Sequence, residues 1–355
     1  MNSAIAKQRL HNHRITRAGL RRPEDVVSWL GAVQAQEYEP AKWALGLRLK
    51  DNAFDADVEH AFDEGRILRT HVLRPTWHFV APADIRWLLE LTGPRVQQRM
   101  TPYNRHLELD ARTFARGLKT FERALRDHQY LTRIELSEQL ADGGMPMTGQ
   151  RLAHVTMEAE LEGVVCSGPR RGNKFTYALL AERAPDAPRL SRDEALAVLT
   201  RRFFKSHGPA TVRDFVWWSG LTTADAKRGL EINKARREDI DGRIYWTIGP
   251  PLPAVTRDRR VHLLPIYDEY IVAYRDREAV PHTTHQTVGN RTQLTIFQHA
   301  LIVDGQVAGT WRTTPARRGA ATIVPLRRLK ADERQALADA AHRYERFVNA
   351  DKIAP

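Results

Sequence analysis

The sequence predicts an α+β fold in which three units, each made of helices followed by a two-stranded hairpin, precede a small β-rich domain. The first unit begins with Pro23 at a first-turn position, and Val26 and Leu30 follow it at helical spacing. Hairpin turns recur, with Asp241-Gly242 as the clearest example, since aspartate followed by glycine favours a tight turn. After Pro250 the pattern changes to short strands. Helices followed by a hairpin are typical of winged-helix modules, so the prediction is a tandem winged-helix protein.

The first module is predicted over residues 1–108. Its helices are predicted over 3–10, 23–30, 40–45 and 55–62, with strands over 67–72 and 76–80 around Arg74-Pro75. Thr70, His71, Arg74 and His78 lie on this first hairpin and are candidates for contacts with a binding partner. A histidine in an alternating strand is more often a hydrogen-bonded structural residue than a catalyst, so these side chains are interpreted as support or phosphate contacts.

The second module is predicted over residues 109–182. Its helices span 110–126, 133–140 after a capping box of Thr132 with Glu135, and 148–161. A hairpin then joins 164–167 to 174–178. Its basic tip is predicted to reach phosphates of a partner through Arg170, Arg171 and Lys174.

A proline-containing linker over 183–189 leads to a third module over 190–250 and to a β-rich domain with a terminal helix over 251–355. Strands in the last domain are predicted at 261–264, 269–273, 300–304, 306–310 and 321–325, and the helix at 331–349. Arg312, Arg317 and Arg318 follow the hairpin turn Asp304-Gly305 and are candidates for contacts with the DNA backbone, with a solvated basic loop as the alternative.

The charge balance points to a polyanionic partner. Lysine and arginine number 55 against 43 acidic residues, which gives a formal net charge of +12. The alternative is that arginine-rich composition reflects the genome. The single cysteine, Cys166, excludes an internal disulfide and a multi-thiolate metal site, so a reducing cytoplasm is expected. We find no apolar run long enough to cross a bilayer and no export signal.

Gln34-Ala35-Gln36 follows the helix over 23–30 and its stop at Gly31. In an extended segment, positions i and i+2 point the same way, so two carboxamides can hold one water. Without further context, the simpler interpretation is a polar helix end in solvent.

Four blocks give that context. They are Gly31 to Gln36, Arg69 to His78, Leu263 to Arg277 and Val303 to Trp311, and together they resemble the AlkZ/YcaQ family of winged-helix DNA glycosylases in the family's order. The resemblance implies that Gln34 and Gln36 form the catalytic Gln-apolar-Gln motif, and that the substrates are alkylated purines, including those in interstrand cross-links. A sister branch carries Gln-apolar-Asp. Gln36 therefore places this chain nearer the AlkZ-like branch, which is similar to self-resistance enzymes of antibiotic producers.

The chemistry of the residues agrees with that expectation. An N7-alkylated guanine already carries positive charge and leaves without protonation, so a general acid is dispensable. Oriented amides then suffice to place a water and to stabilise the oxocarbenium-like transition state. No lysine accompanies the motif, so a monofunctional glycosylase is expected.

Other interpretations remain. A non-catalytic winged-helix DNA-binding protein or transcription regulator is the first alternative, and an RNA-binding or scaffold protein is the second. Tyr267 to Tyr270 form a dense acidic and aromatic block that is often structural, and Arg275 and Arg277 are expected to pair with its acids. His282 and His285 lack further metal ligands, so neither a metal nor a cofactor is expected. Three modules in one chain favour a monomer on double-stranded DNA.

Overall fold

The computed structural model describes residues 2–16, 18–50, 53–249, 260–276, 280, 298–314 and 319–349. The elements up to the first hairpin are α1 (Asn2–Asn12), α2 (Pro23–Leu30), β1 (Val33–Gln34), α3 (Tyr38–Gly46), α4 (Asp55–Asp63), β2 (Leu68–Val72) and β3 (Arg74–Val80). Next come α5 (Ile85–His106), α6 (Ala111–Ala124), β4 (Leu131–Thr132), α7 (Arg133–Asp142), α8 (Gly149–Leu161), β5 (Val165–Ser167) and β6 (Thr176–Leu179).

The remaining elements are α9 (Leu180–Arg183), α10 (Arg192–Ser206), α11 (Val212–Ser219), α12 (Thr223–Ile232), β7 (Arg236–Ile240) and β8 (Arg243–Thr247), followed by β9 (Val261–Leu264), α13 (Glu269–Val272), β10 (His299–Val303), β11 (Gln306–Thr313), β12 (Ala321–Pro325) and α14 (Ala331–Val348). The chain is therefore a mixed fold of helices and small antiparallel sheets, which confirms the predicted α+β class.

The chain forms two compact units. The first contains Met1–Glu59, Ala197–Trp218 and Thr222–Pro355, and the second contains His60–Leu196 and Ser219–Leu221. The predicted division into four consecutive domains stays a prediction.

In the first unit, the C-terminal strands form one antiparallel sheet in the order β12-β11-β10-β9. The turn between β10 and β11 is Asp304-Gly305, with φ of 50° and 83°, as the sequence pattern predicts. Helix α14 packs on α3, because Trp43 contacts Tyr344 and Phe347 at centroid distances of 5.1 Å. A Cβ at Gly46 would lie 2.5 Å from the Phe347 ring, so only glycine permits this close approach.

In the second unit, β2 and β3 form a hairpin, and β4, β6 and β5 form a sheet in that order. Thr132 and Glu135 form the predicted capping box at the start of α7. Three helices with this strand order have the arrangement of a winged helix. The elements α2, β1, α3, α4, β2 and β3 follow one another in the same order as α6 to β6, so β1 is the counterpart of β4 along the chain.

One sequence prediction is wrong, and two helices are missing from the predictions. Residues 269–273, predicted as a strand, begin the short helix α13, because the Asp268 carboxylate accepts the N–H of Tyr270 at 2.9 Å and caps it. Helix α5 was not predicted over its 22 residues, since Pro94 and Pro102 lie inside it and proline usually ends a helix. The short helix α9 was also not predicted.

Candidate functional site

The Gln-Ala-Gln motif lies between two helices of the first unit. Helix α2 ends at Gly31, whose φ of 89° is unfavourable for other residues, and its N–H donates to the Val27 carbonyl at 2.8 Å. Two residues later the chain enters β1, and it turns into α3 after Gln36. The segment thus holds both amides within one short, non-helical stretch.

The two amides are not equivalent. Gln34 is only 8% exposed, Ala35 is fully buried and Gln36 is half-buried. Gln36 is therefore the amide that solvent reaches more readily, and Gln34 lies behind it.

A buried carboxylate fixes the backbone of the motif. Glu269 Oε1 accepts the N–H of Gln34 at 2.8 Å, and Oε2 accepts the indole N–H of Trp218 at 2.9 Å. The Glu269 side chain is fully buried, so both bonds lie in a medium of low effective dielectric constant, where they are strong. The peptide of Gln34 therefore has a defined position before any substrate binds.

The loop that carries Glu269 is itself anchored. Asp268 and Arg48 form a fully buried bidentate pair with N–O distances of 2.8 and 2.9 Å. Arg48 also donates to the carbonyl oxygens of His13 and Ala44. Arg48 is thus the partner of Asp268, where the sequence pattern suggested Arg275 or Arg277.

The backbone N–H of Arg275 donates instead to Asp214 Oδ1 at 2.9 Å, and its guanidinium lies 5.4 Å from the centroid of the Trp217 ring. Arg277 lies outside the described residues.

Two histidines and a tyrosine lie in the same buried region. The Tyr274 hydroxyl donates to the His207 carbonyl at 2.7 Å and lies 2.8 Å from His13 Nε2. Since the hydroxyl has one proton, His13 must donate its Nε2–H to the Tyr274 oxygen. Burial, with nearby His207 and arginines, holds the pKa of His13 well below its ordinary value. His13 is therefore neutral.

His207 is linked to Glu269 more loosely. Its Nε2 lies 3.7 Å from Glu269 Oε2, beyond hydrogen-bonding distance, and its Nδ1 lies 2.8 Å from Ser206 Oγ. Burial lowers the pKa of His207 even though the Glu269 carboxylate opposes that shift. The Glu269 carboxylate accepts its two hydrogen bonds described above from N–H groups of Gln34 and Trp218.

The structure brings the four candidate residues of the first hairpin together in the second unit. Thr70 pairs with His78 across the strands, and Val72 pairs with Arg74. The Arg74 guanidinium lies 3.3 Å from His78 Nε2, while His78 Nδ1 donates to the Thr76 carbonyl at 2.9 Å. Arg74 and His78 therefore contact each other within the unit, whereas the buried Thr70 hydroxyl has no hydrogen-bond partner among the described residues.

His71 is also engaged inside the unit. It is buried, and its Nδ1 bonds to the Glu160 carboxylate, which also accepts the indole N–H of Trp77 at 3.3 Å. This contact fits a structural role for His71.

The basic hairpin tip is partly engaged. Arg171 donates to Glu135 and to the Tyr130 carbonyl, both at 2.6 Å. The backbone hydrogen bond from Thr132, followed by the bond from Arg171, holds the pKa of Glu135 at about 2. The Arg170 guanidinium lies over the Phe175 ring at 5.1 Å, whereas Lys174 is exposed.

In the C-terminal sheet, Arg312 is exposed on β11. Arg317 and Arg318 lie outside the described residues, as do His282 and His285. Within the described ranges, no group of three or more histidine, cysteine, aspartate or glutamate side chains could hold a metal ion. No helix among those residues is both long and apolar enough to span a membrane.

Sequence reasoning did not single out Glu269, Trp218 or Arg48 as parts of this site. The only signal was a glutamate inside the aromatic and aliphatic run from Tyr267 to Val272. A carboxylate in such a run must be buried with donors around it, but the sequence does not say which donors.

Comparison with known proteins identifies the class. A family model described as "DNA glycosylase AlkZ-like" matches residues 27–347, so the chain belongs to the AlkZ-like family of DNA glycosylases. It is therefore an enzyme that hydrolyses N-glycosyl bonds in DNA.

A curated protein and a solved structure, both from Streptomyces sahachiroi, are similar to this chain. A curated protein named "Interstrand DNA cross-link repair glycosylase" is 26% identical over 304 residues, which are 81% of this chain and 81% of that protein. The solved structure of Streptomyces sahachiroi DNA glycosylase AlkZ matches with a TM-score of 0.79 and 21% identity, and the match covers 97% of this chain and 96% of that one. The likeness in structure confirms the overall fold.

Proposed function

We propose that this enzyme excises bulky or cross-linked N7- and N3-alkylpurines from duplex DNA, with Gln34 and Gln36 as its catalytic residues. The observation that carries the proposal is the Gln-Ala-Gln segment, whose backbone is fixed by the buried Glu269 carboxylate. The name of the Streptomyces sahachiroi relative refers to interstrand cross-link repair, which supports the substrate class. Self-resistance to a DNA-alkylating natural product is the biological role that this substrate class favours.

The reaction needs no general acid to protonate the leaving base. An N7-alkylpurine carries positive charge, so it leaves as a neutral base when the bond to the sugar breaks. The developing charge is on the sugar, as in other glycosyl transfers. An amide oxygen stabilises that charge as a dipole and accepts a hydrogen bond from the attacking water.

The difference in burial between the two amides supports different catalytic roles for them. Gln36 is half-buried and is the amide that meets the water and the sugar, while Gln34 is almost enclosed and holds the water from behind. Glu269 acts as a positioning residue, because it fixes the Gln34 peptide, two residues before Gln36. Pre-set dipoles of this kind need no reorganisation during the reaction.

Lys42, on the helix α3 that follows the motif, is unsuited to covalent catalysis. On α3, the Lys42 ammonium pairs with Glu39, Asp55 and Glu59 at 2.9, 3.0 and 2.9 Å. Burial alone would lower the pKa of Lys42, but Asp55 and the other two carboxylates outweigh it and raise that pKa. A protonated amine is no nucleophile, which supports water as the nucleophile and a monofunctional enzyme.

The DNA contacts are proposals at residue level. Lys174 and Arg312 are exposed and suited to phosphates, and Arg170, Arg171, Arg317 and Arg318 are the further basic candidates. Thr70, His71, Arg74 and His78 are proposed to support the first hairpin near DNA. We propose that the enzyme acts as a monomer in the cytoplasm, where the buried Cys166 thiol, whose pKa is raised by burial to about 12, is inert.

Incubation of the protein with duplex DNA that contains one N7-methylguanine tests the proposal. We expect free base and an intact abasic strand, with no release from undamaged duplex, because neutral purines are poor leaving groups. Matched duplexes with a neutral O6-alkylguanine control for recognition of the alkyl group alone. Tight binding to one operator sequence without base release would favour the transcription regulator instead.

A further inference from the structure

Helix α6 of the second unit carries a row of exposed basic side chains. Arg112, Arg116, Lys119 and Arg123 are separated by four, three and four positions, which places them on one face of the helix. The opposite face is buried through Gly117 and Phe121. At 1.5 Å per residue, the row extends over about 17 Å.

No ion pair within the described part of the chain neutralises this row, although the Asp110 carboxylate at the start of α6 attracts Arg112. Like charges at these spacings repel one another and destabilise the helix. Arg112, Lys119 and Arg123 form no ion pair with described residues, and Arg116 donates only to the Gly143 carbonyl at 3.3 Å. Glu122 faces Arg126 at 3.7 Å. Because these cations form no ion pairs with described residues, the row is suited to binding an external polyanion.

The helix that usually enters the major groove in a winged helix is α8 here, and it is covered. Glu158 on α8 and Glu162, which caps the C-terminus of α8, both accept hydrogen bonds from Gln97 of α5, the former at 2.9 Å. Glu160 is bound by His71 of β2.

The cover extends along α8, because His154 Nδ1 lies 2.6 Å from Asn104 of α5. A helix that carries the Glu158 and Glu160 carboxylates and packs against α5 and β2 is poorly placed to enter a groove of DNA.

We propose that the basic row of α6 holds the phosphate backbone of duplex DNA, in place of the third helix of this module. The proposal rests on the proposed function, which supplies DNA as the partner. One strand of B-DNA presents a phosphate about every 3.4 Å along the axis, so about five phosphates lie alongside the row. The four cations are opposite in charge to the phosphates and similar to them in number along the row.

Salt titration of binding tests the row. The variant R112Q/R116Q/K119Q/R123Q keeps good helix formers but removes the charges. Each lost phosphate contact should reduce the slope of log K against log salt by about 0.9, so the slope should fall by about 3 to 4 on duplexes with and without N7-methylguanine. Circular dichroism should show an unchanged or higher Tm, since repulsion within α6 is relieved.

Two control variants make the result specific. R112K/R116K/K119R/R123K keeps the charges and should keep the salt slope. R66Q/R189Q/R228Q/R328Q removes the same net charge from positions outside α6, of which Arg66 is half-buried and the other three are exposed. Arg66, Arg189 and Arg228 are paired there with carboxylates, so this variant should keep most of the slope.

An unchanged slope in the α6 glutamine variant would overturn the proposal. Loss of binding to phosphatidylserine vesicles with unchanged DNA binding would also overturn it and assign the row to a membrane surface. Base release by the wild-type protein is measured separately. A wild type that binds duplex through α6 but releases no base would refute the proposed function and leave this surface standing.

Discussion

The Glu269 carboxylate and the backbone N–H of Gln34 form a 2.8 Å hydrogen bond between residues 235 positions apart. This bond ties the C-terminal part of the chain to the motif near its beginning. Its effect on the excision rate can be separated from its effect on protein stability, because another buried glutamate serves as a control.

Glu269→Gln should lower single-turnover excision of N7-methylguanine by about 10-fold or more, with DNA affinity unchanged. A glutamine can still accept one N–H, but its amide group then faces a second donor from Gln34 or Trp218, and the peptide shifts. Glu333→Gln is the control, since Glu333 is equally buried and pairs with Arg327. It should reduce stability while keeping the excision rate. Equal excision rates for wild type and Glu269→Gln would refute the positioning role.

Gln34→Ala and Gln36→Ala should each reduce single-turnover excision by about 10²-fold or more, because each removes an oriented dipole from the transition state. The double variant should lose less than the product of the singles, since both amides act on one water. Gln34→Ala should also lower the Tm, as its side chain is almost fully buried. Gln335→Ala on the exposed face of α14 controls for removal of an amide. Near-normal excision by a folded double variant would end the catalytic assignment.

Gln36→Asp should retain measurable excision, because a carboxylate is a stronger base towards water than an amide. The half-buried position makes the added charge tolerable. Rates on N7-methylguanine and N3-methyladenine duplexes would show whether lesion preference shifts. A folded Gln36→Asp variant as inactive as Gln36→Ala would mean that the neutral amide itself is required.

Sodium borohydride added during turnover should trap no covalent protein–DNA complex, because water is the proposed nucleophile and the ammonium of Lys42 is held by three carboxylates. Gel electrophoresis under denaturing conditions measures it, with a bifunctional lysine-dependent glycosylase as the positive control. A trapped band that persists in Lys42→Arg would locate a Schiff-base lysine elsewhere in the chain.

Stability should fall as the pH drops below about 6.5. Burial lowers the pKa of His299 to about 4, and its Nδ1 accepts the N–H of Ile266 at 3.2 Å. The unfolded chain therefore binds a proton at a higher pH than the folded chain does. The free energy of unfolding should decline between pH 6.5 and 4 by about 3 kcal/mol from this group alone, at about 1.4 kcal/mol per pH unit.

His299→Asn is the matched variant, because its amide oxygen can replace Nδ1 as the acceptor. Urea titrations at several pH values should show a smaller decline for this variant than for the wild type. His13 and His207, whose pKa values are also lowered, contribute in the same direction and should remain in the variant. A parallel decline in both proteins would contradict the role of His299.

Local signals in the sequence predicted local structure well. The turns at Asp241-Gly242 and Asp304-Gly305 depend on residues that tolerate positive φ, and the Thr132 capping box depends on residues three positions apart. Helix α5 was missed because its prolines act locally against a helix whose stability comes from packing in the second unit. The α13 segment was misread because its β-branched and aromatic residues outweighed the Asp268 cap.

The motif itself was recognisable, since Gln34, Ala35 and Gln36 are adjacent and occur together with three other blocks of the family resemblance. The residues that hold the motif in place could not be recognised. Trp218, Glu269 and Arg48 are distant from one another along the chain, and each alone is readily interpreted as an ordinary structural residue. Pairing between distant residues depends on the folded arrangement, and no periodicity or spacing in the sequence encodes it.

The packing of α14 on α3 has a consequence for synthesis on the ribosome. The Arg343 guanidinium donates to the Gly46 and Leu47 carbonyls, and Phe347 covers Gly46. The glutamine motif leaves the exit tunnel early, but its supporting residues and the helix that braces α3 are translated last. If the motif is catalytic as proposed, a nascent chain carries it before its supports are in place, and a chain that ends before α14 should release no base from DNA.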